Sequence, residues 1–461
     1  MIYHNPVISV PDMDHGDPAI LKYNGKYYLY HTGQYEILVY ESTNLVDWEK
    51  VGVALTASND KNHWAQIDLW APEIIHDNGT FYMYVTGAMT KADGNADDEI
   101  RHIGVAKSTS PIGPFILNAE PLTNEWSIDA HPFLDDDGQW YLFYNVRNEY
   151  TKGPNGVIGC GNVVDKMIDF ETLAGNPTLV VKPEMMHEGN KEGTWFWNEG
   201  PFVLKKNGVY YQMYSAGWFG DDTYGMYVAT SKVPMGPNGM NDTTWKKWEG
   251  GKPILASNAA CFGPGHHVVT SGPNGVDKYV VYHGYEPDPE KKGRKVHVGK
   301  FEWQDDLIKI EEPTLEAIPV PSLPTVDCRF DDGIHSINKS LASHPANSFY
   351  FETNLSTVNP ENSTLGGSLS DENGMVLKWT IDPDEKAFEV RQGDSHNKTL
   401  LKNDPDFSTY QHLSIEKTGD VVALQVNGLV VYKRTIQSSN LKVQLIEDPS
   451  VTYKGTLLTV L

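Results

Sequence analysis

The chain has 461 residues and a formal net charge of -24 at pH 7, so it is too long for one ordinary core and divides into two domains. Its long-range field opposes nucleic acid and anionic membrane surfaces and leaves a neutral polar partner unopposed. Hydrophobic residues make up 39% and aromatics 11%, and Cys160, Cys261 and Cys328 show no ligand-like spacing, so buried sheets with reduced core thiols are expected rather than a disulfide scaffold.

The first residues, M-I-Y-H-N-P-V-I-S-V-P-D-M-D, carry neither a basic segment nor a long apolar stretch. A cytoplasmic protein is expected; a chain relieved of its leader would read the same. No stretch approaches the ~18 apolar residues of a membrane span.

From Asp17 a phrase repeats. It reads D-P-A-I-L-K-Y-N-G-K-Y-Y-L-Y from Asp17, A-P-E-I-I-H-D-N-G-T-F-Y-M-Y from Ala71 and H-P-F-L-D-D-D-G-Q-W-Y-L-F-Y from His131. A fourth copy, G-P-F-V-L-K-K-N-G-V-Y-Y-Q-M-Y, starts at Gly200, and a degenerate fifth runs from Gly265 through His266 and His267 to Tyr282. Each clear copy is a hairpin: Asn24-Gly25, Asn78-Gly79 and Asn207-Gly208 supply the positive φ angles of a tight turn, and Asp137-Gly138 is read as their equivalent. A third strand follows each, as in Ile37 to Glu49, Ile103 to Phe115 and Tyr224 to Pro237. Repeats of this length with their own hairpins, and no helical pattern between them, predict an all-β five-bladed propeller over residues 1–315. The hairpin tyrosines and tryptophans are expected mainly as wedges between blades. The acidic run Asp93, Asp97, Asp98 and Glu99 lacks the glycine of a calcium-binding loop and reads as a solvated loop at the rim.

At Glu311 the pattern breaks. The four prolines of E-E-P-T-L-E-A-I-P-V-P-S-L-P-T-V describe a strap, with residues 316–326 as linker. Residues 327–461 alternate short strands with glycine turns and predict a β-sandwich accessory domain, the polar run 331–347 being loop.

Asp17, Asp129 and Glu199 fall near the starts of three repeats, so a propeller would gather them at its hub. Breaking a glycosidic bond with inversion needs an acid for the leaving oxygen and a base for water, about 6.5–9.5 Å apart. Asp17 suits the base. Glu199 sits among Trp195, Phe196 and Trp197, where apolar neighbours favour the protonated form that an acid needs. Asp129 would tune that proton. Trp70 and Trp197 are candidate platforms for a sugar ring.

These motifs closely resemble glycoside hydrolase family 43. The resemblance implies a five-bladed propeller acting with inversion, Asp17 in D-P as base, Asp129 in I-D-x-x-x-F as the residue tuning the acid, and Glu199 in E-G-P as the acid. It also covers Trp70-Ala71-Pro72 and Pro264-Gly265-His266-His267. It implies that His266 faces the channel beside a hydrated calcium or a water, and that Arg294 contacts substrate. Successive strand residues face opposite ways, so at most one of the two histidines faces the axis; His267 is kept as a candidate substrate contact. The closing domain resembles the concanavalin-like sandwiches appended to some family xylosidases.

The expected function is exo-acting release of a terminal pentose from plant cell-wall oligosaccharides containing arabinose or xylose. An α-L-arabinofuranosidase is placed ahead of a β-xylosidase or bifunctional enzyme, then an endo-arabinanase, and a non-catalytic carbohydrate-binding propeller is the rival from another class. The insert Met185 to Thr194 and the loop Gly220 to Thr223 are expected to wall the pocket. No cofactor is expected for the chemistry, calcium being structural, and no nucleic-acid or membrane partner; oligomeric state is left open.

Overall fold

The computed structural model describes residues 1–287, 292–331 and 333–461. Five antiparallel sheets follow one another in chain order, each a meander whose path holds four strands. Their first strands are Ala19–Tyr23, Ile67–Asp77, Ser127–Leu134, Asn198–Lys206 and Phe262–Ser271. Thr178–Val181 adds an extra strand to the third sheet.

Alternation along the strands gives every sheet two apolar faces, and each face meets a neighbouring sheet. Tyr30, Val39 and Leu55 of the first sheet pack with Ile74, Phe81 and Val85 of the second. Equivalent cores join the second to the third, the third to the fourth and the fourth to the fifth. A fifth core joins Tyr27, Leu29 and Leu38 of the first sheet to Val281, Val296 and Val298 of the fifth. Aromatics fill these wedges because a splayed pair of sheets leaves a gap that smaller side chains would leave under-packed.

Near the head of each first strand a left-handed residue recurs: Asp17 (φ 55°), Ala71 (44°), Asp129 (59°), Gly200 (56°) and His266 (40°); the second and fifth of these strands carry a further one, three residues earlier, at Asp68 (56°) and Gly263 (57°). In the second, third, fourth and fifth sheets the pairing register shifts there, which is the signature of a β-bulge. A bulge re-aims side chains at the end of a sheet. The amide of each of the five recurring residues donates to a side chain of the preceding sheet. Ala71 donates to Thr32 Oγ1 (2.9 Å), Asp129 to Thr86 Oγ1 (3.2 Å), Gly200 to Asp129 Oδ2 (3.0 Å) and His266 to Ser215 Oγ (2.8 Å). The series returns to its start where the amide of Asp17 donates to His283 Nδ1 of the fifth sheet (3.0 Å).

At their other ends the first strands turn into the second. Both residues of Asn24-Gly25, Asn78-Gly79 and Asn207-Gly208 have positive φ, as two-residue hairpins require. The third copy differs from its sequence reading. Of Asp137 and Gly138 only the glycine has positive φ, and the loop is longer, closing Leu134 on Trp140. The acidic run also differs: Asp97, Asp98 and Glu99 lie within the strand Ala96–Ser108, where Arg101 and Arg147 pair with Asp98 and Glu99.

The strap Ile318–Pro319 pairs with Ile2–Tyr3, and Val326–Cys328 starts the terminal module. That module has a six-stranded and a five-stranded antiparallel sheet sharing one core, with Phe349, Phe351 and Ile415 on one side and Leu377, Trp379 and Phe388 on the other. The run expected to be loop holds a helix, Ile334–Ala342. Ile334, Ile337 and Leu341 recur at helical spacing and face the core, and Asn338 hydrogen-bonds both ways with the backbone of Leu445.

The module packs on the hairpin ends of the first strands. Lys22 pairs with Glu352 at 2.5 Å, Asn78 Oδ1 accepts the amide of Asp406 (2.7 Å), and Thr459 donates to the carbonyl of Asn274 (2.7 Å). A Cβ on Gly25 would lie 2.8 Å from that of Arg329, so the turn glycine also permits close approach.

The relay makes a direct prediction. Thr86→Val keeps the shape of a fully buried side chain but leaves the Asp129 amide without its acceptor, which costs about 1–3 kcal/mol. Chemical denaturation checks this, and a loss below about 0.5 kcal/mol would contradict the relay as a source of stability.

Candidate active site

The left-handed heads of the first strands open onto one cavity of about 1500 Å³, lined among others by Asp17, Asp129, Glu199, Trp70, Trp197, His266 and Arg294. All its lining residues fall between Asp12 and Arg294, so the terminal module, on the hairpin ends, contributes none. No helix among the described residues is long and apolar enough to cross a membrane.

Asp17 is the most constrained acid. Thr32 Oγ1 donates to its Oδ2 (2.5 Å) and Arg294 Nη1 to its Oδ1 (2.8 Å), and His266 Nδ1 lies 3.3 Å from Oδ1. Burial alone would raise its pKa, but the Arg294 charge, with His266 and His283 behind it, holds the carboxyl well below the usual range. His283 Nδ1 accepts the Asp17 amide, which places that ring's proton on Nε2, and burial lowers its pKa to about 4.

Arg294 is fixed from its far side. Its Nε and Nη2 donate to Asp14 at 3.0 and 2.6 Å, and Asp14 also accepts the Arg294 amide at 2.7 Å. The guanidinium lies 5.2 Å from the Phe219 ring centroid. Asp14 does not belong to the repeated phrase; its signal in the sequence is the cluster of three acids in D-M-D-H-G-D, Asp12 to Asp17.

Asp129 and Glu199 have the opposite character. Asp129 receives the amide of Gly200, the residue after Glu199, and stands 3.9 Å from His266 Nδ1. Burial and the neighbouring charges of Glu199 and Asp17 raise it well above the carboxylate range. Glu199 accepts a hydrogen bond from Tyr224 (2.8 Å). Burial raises its pKa to about 7; the Tyr224 bond and Arg294 lower it, while Asp17 raises it. Two carboxyls this closely linked titrate together, so one proton stays on the pair near neutrality. Tyr224 also stacks on His283, their rings 5.7 Å apart and 5° from parallel. One tyrosine therefore spans from the partner of Glu199 to that of Asp17.

Aligning the copies on their prolines would match Asp17 with His131. The backbone instead matches Asp17 with Asp129, and Glu199 stands one residue before its left-handed position at Gly200. His131 serves structure, with Nε2 accepting the Val203 amide at 3.0 Å and Nδ1 3.3 Å from Glu73. His267 does not reach the cavity. It is 2% exposed and packs against Phe202, and burial lowers its pKa to about 3. The expected substrate contact at His267 is thus corrected: alternation past the bulge turns His266 inward and its neighbour into the packed interior.

Trp70 lines the cavity with one face covered by the Arg101 guanidinium, 3.6 Å from the ring centroid. Trp64 is a wedge in the core between the first two sheets. Asn190, Glu192, Phe219 and Asp221, from the two loops expected to wall the pocket or flanking them, line it. Among the described residues no three His, Cys, Asp or Glu side chains are arranged to hold a metal ion. For the calcium expected at His266 the described residues thus supply one imidazole, and an ion there would rest on that ring and waters.

Residues 3–308 match the family described as glycosyl hydrolases family 43. A β-D-galactofuranosidase of Aspergillus niger is 29% identical over 297 residues, 58% of this chain and 73% of the relative. A xylosidase/arabinosidase of Bacteroides ovatus is 28% identical over 265 residues, 50% of this chain and 77% of its own. The crystal structure of a thermostable family-43 glycoside hydrolase superposes with a TM-score of 0.58 at 36% identity, covering 69% of this chain and 99% of that one.

Space around Arg294 is tight enough to test. A Cβ on Gly16 would lie 1.8 Å from the guanidinium carbon, so Gly16→Ala must push a buried cation off Asp14 and Asp17. The expected loss is about 2–4 kcal/mol in denaturant unfolding. A variant as stable as the parent, with Arg294 unmoved in its structure, would contradict this account of the packing.

Proposed function

This chain belongs to glycosyl hydrolases family 43, and from that premise we propose that it is an inverting, exo-acting hydrolase releasing terminal α-L-arabinofuranose from plant cell-wall saccharides. One observation carries the reading. In a single cavity Arg294 keeps Asp17 ionised while burial keeps Glu199 protonated up to about pH 7. That is a base and an acid poised for opposite proton transfers.

In this mechanism Asp17 takes a proton from water as its oxygen attacks the anomeric carbon. The bond from that carbon to the leaving oxygen breaks on the opposite face, and Glu199 gives its proton to that oxygen. One water is consumed, and solvent exchange restores both carboxyls. Asp129 holds the Gly200 amide, and its coupling to Glu199 keeps a proton on the pair, so Glu199 is aimed and supplied with the proton it donates. Arg294 anchors Asp17 and faces the bound sugar from the cavity wall. No step passes through a metal ion; a water-ligated calcium beside His266 belongs to the proposal only as a structural ion.

The arabinofuranoside preference is supported by the A. niger relative, named for a furanosidase. β-D-Galactofuranose differs from α-L-arabinofuranose by one extra carbon in its exocyclic arm. A β-xylosidase, or an enzyme with both activities, is the second reading, favoured by the name of the B. ovatus relative. The exo reading is supported by the loop residues that stand at the cavity wall. We also read the five sheets as blades of a propeller, on the strength of the core and the hydrogen bond joining fifth sheet to first. The two terminal sheets around one core fit a concanavalin-like sandwich.

A proton NMR time course on an α-L-arabinofuranoside is expected to show the β anomer as first product, and Glu199→Gln to lower kcat about 10²- to 10⁴-fold. A retained anomer would overturn the roles given to Asp17 and Glu199. The pH profile gives a separate check. Activity needs Glu199 protonated, so it is expected to fall as pH rises through about 7. The Tyr224 bond favours the charged form, so Tyr224→Phe is expected to move that limb upward by about half a unit to one unit. A downward shift would contradict the assignment of Glu199 as the acid.

A further inference from the structure

We propose that Trp195, Trp197, Trp218 and Phe219 form a leaving-group subsite that takes the flat faces of consecutive pyranose rings, so that the released furanose is cut from a xylopyranose backbone. This rests on the reading of Glu199 as the acid. Trp195, Trp197 and Glu199 recur at every second position of one extended segment and all line the cavity; of the residues between them, Asn198 is buried away from it, and Phe196 touches its wall but is only 1% exposed. Platform and acid therefore share a face. The oxygen that Glu199 protonates is the first atom of the departing sugar, so that sugar must lie toward Trp197, and the next toward Trp195.

The rings run on without a break. Trp195 and Trp197 are stacked, with centroids 6.3 Å apart and planes 25° from parallel; Trp218 follows at 4.8 Å and Phe219 at 4.5 Å. The inner pair is half-buried, whereas Trp195 is 48% and Phe219 37% exposed. Large aromatic surface left exposed beside a cavity marks a binding face. Across the cavity, Trp70 and Trp126 each have a face covered by an arginine; among the described residues no such cation covers Trp195. The segment is also held in place beforehand. Asn190 Oδ1 accepts the amides of Thr194 and Trp195, and Trp197 donates to the carbonyl of Glu188, so little ordering opposes binding.

A wall of indoles selects for ring shape. A pyranose chair offers a broad face of axial C–H bonds that lies flat on an aromatic ring, while a puckered furanose with its exocyclic arm offers less contact area. A xylopyranose, with no exocyclic carbon, lies flattest.

The test uses the full chain and three substrates with one glycone: an α-L-arabinofuranosyl xylotriose, arabinotriose and methyl α-L-arabinofuranoside. Trp195→Ala is expected to lower the ratio of kcat/KM on the xylotriose substrate to that on the methyl glycoside at least about tenfold, chiefly through KM. It is expected to change the corresponding arabinotriose ratio less. An unchanged xylotriose ratio, or an equal fall for arabinotriose, would overturn the subsite while leaving the hydrolase reading intact. If the parent cleaved none of the three, that reading would fail instead. Calorimetric titration of xylotetraose into Glu199→Gln, with and without Trp195→Ala, would then decide the subsite: equal affinities would overturn it, and weakening of about tenfold would uphold it.

Discussion

The structure depends on one backbone constraint, repeated five times: a left-handed residue at the head of each first strand. Four of the five positions are not glycine, and each such residue costs on the order of 1–2 kcal/mol against an ordinary strand conformation. The cost is offset because every strained amide has a buried partner on the neighbouring sheet. Sheets joined only by apolar wedges would tolerate small rotations about one another. Sheets joined as well by a directed bond at the heads of their first strands do not, and it is there that the acids need fixed positions. Strain, cross-sheet bonding and convergence are one feature viewed at three scales.

Three carboxyls in one hollow would ordinarily share protons until none was reliably charged. A single cation breaks that symmetry. Arg294 is bound to Asp14 outside the group and to Asp17 within it, so its charge outweighs burial at Asp17, while at Asp129 and Glu199 it lowers the pKa less than burial raises it. Asp14 does more than neutralise: it fixes the guanidinium plane so that Nη1 alone points inward. The surplus of negative charge over the chain as a whole has little part in this, since the interactions that set these protons act over a few ångströms in a low-dielectric pocket.

Much of this was legible in the sequence because it is carried by repetition. Asn-Gly turns, paired tyrosines and, in three copies, an acid near the start of the hairpin recur at intervals that a repeated sheet explains. What was not legible depends on partners distant in sequence. Tyr224 and His283 lie on second and third strands and look like ordinary core aromatics until folding sets them against Glu199 and Asp17. Asp129 was read beside Asp17 and Glu199 although it stands three residues before Pro132; the bulge that accounts for this offset leaves no compositional mark. The residue pattern alone left His266 and His267 interchangeable; the resemblance chose His266, the one with positive φ and a place on the cavity wall. The helix 334–342 was missed because its three apolar residues are diluted by polar ones, and only packing against the core of the terminal module makes that face decisive.

The two ends of the first strands divide the work between conformation and contact. At one end the left-handed residues spend backbone strain to expose carboxylates to a cavity. At the other, Asn-Gly turns remove side chains so that the terminal module can sit close, with Arg329, Thr409 and Tyr350 against Gly25, Gly79 and Gly275. The Lys22–Glu352 pair then lies where the module shields it, and the Lys22 charge outweighs burial to hold Glu352 well below its ordinary pKa. A module placed there braces first, second, third and fifth sheets at once without narrowing the mouth above Glu199. Specificity is therefore left to the loops around that mouth, which is where the chain has put its exposed aromatic rings.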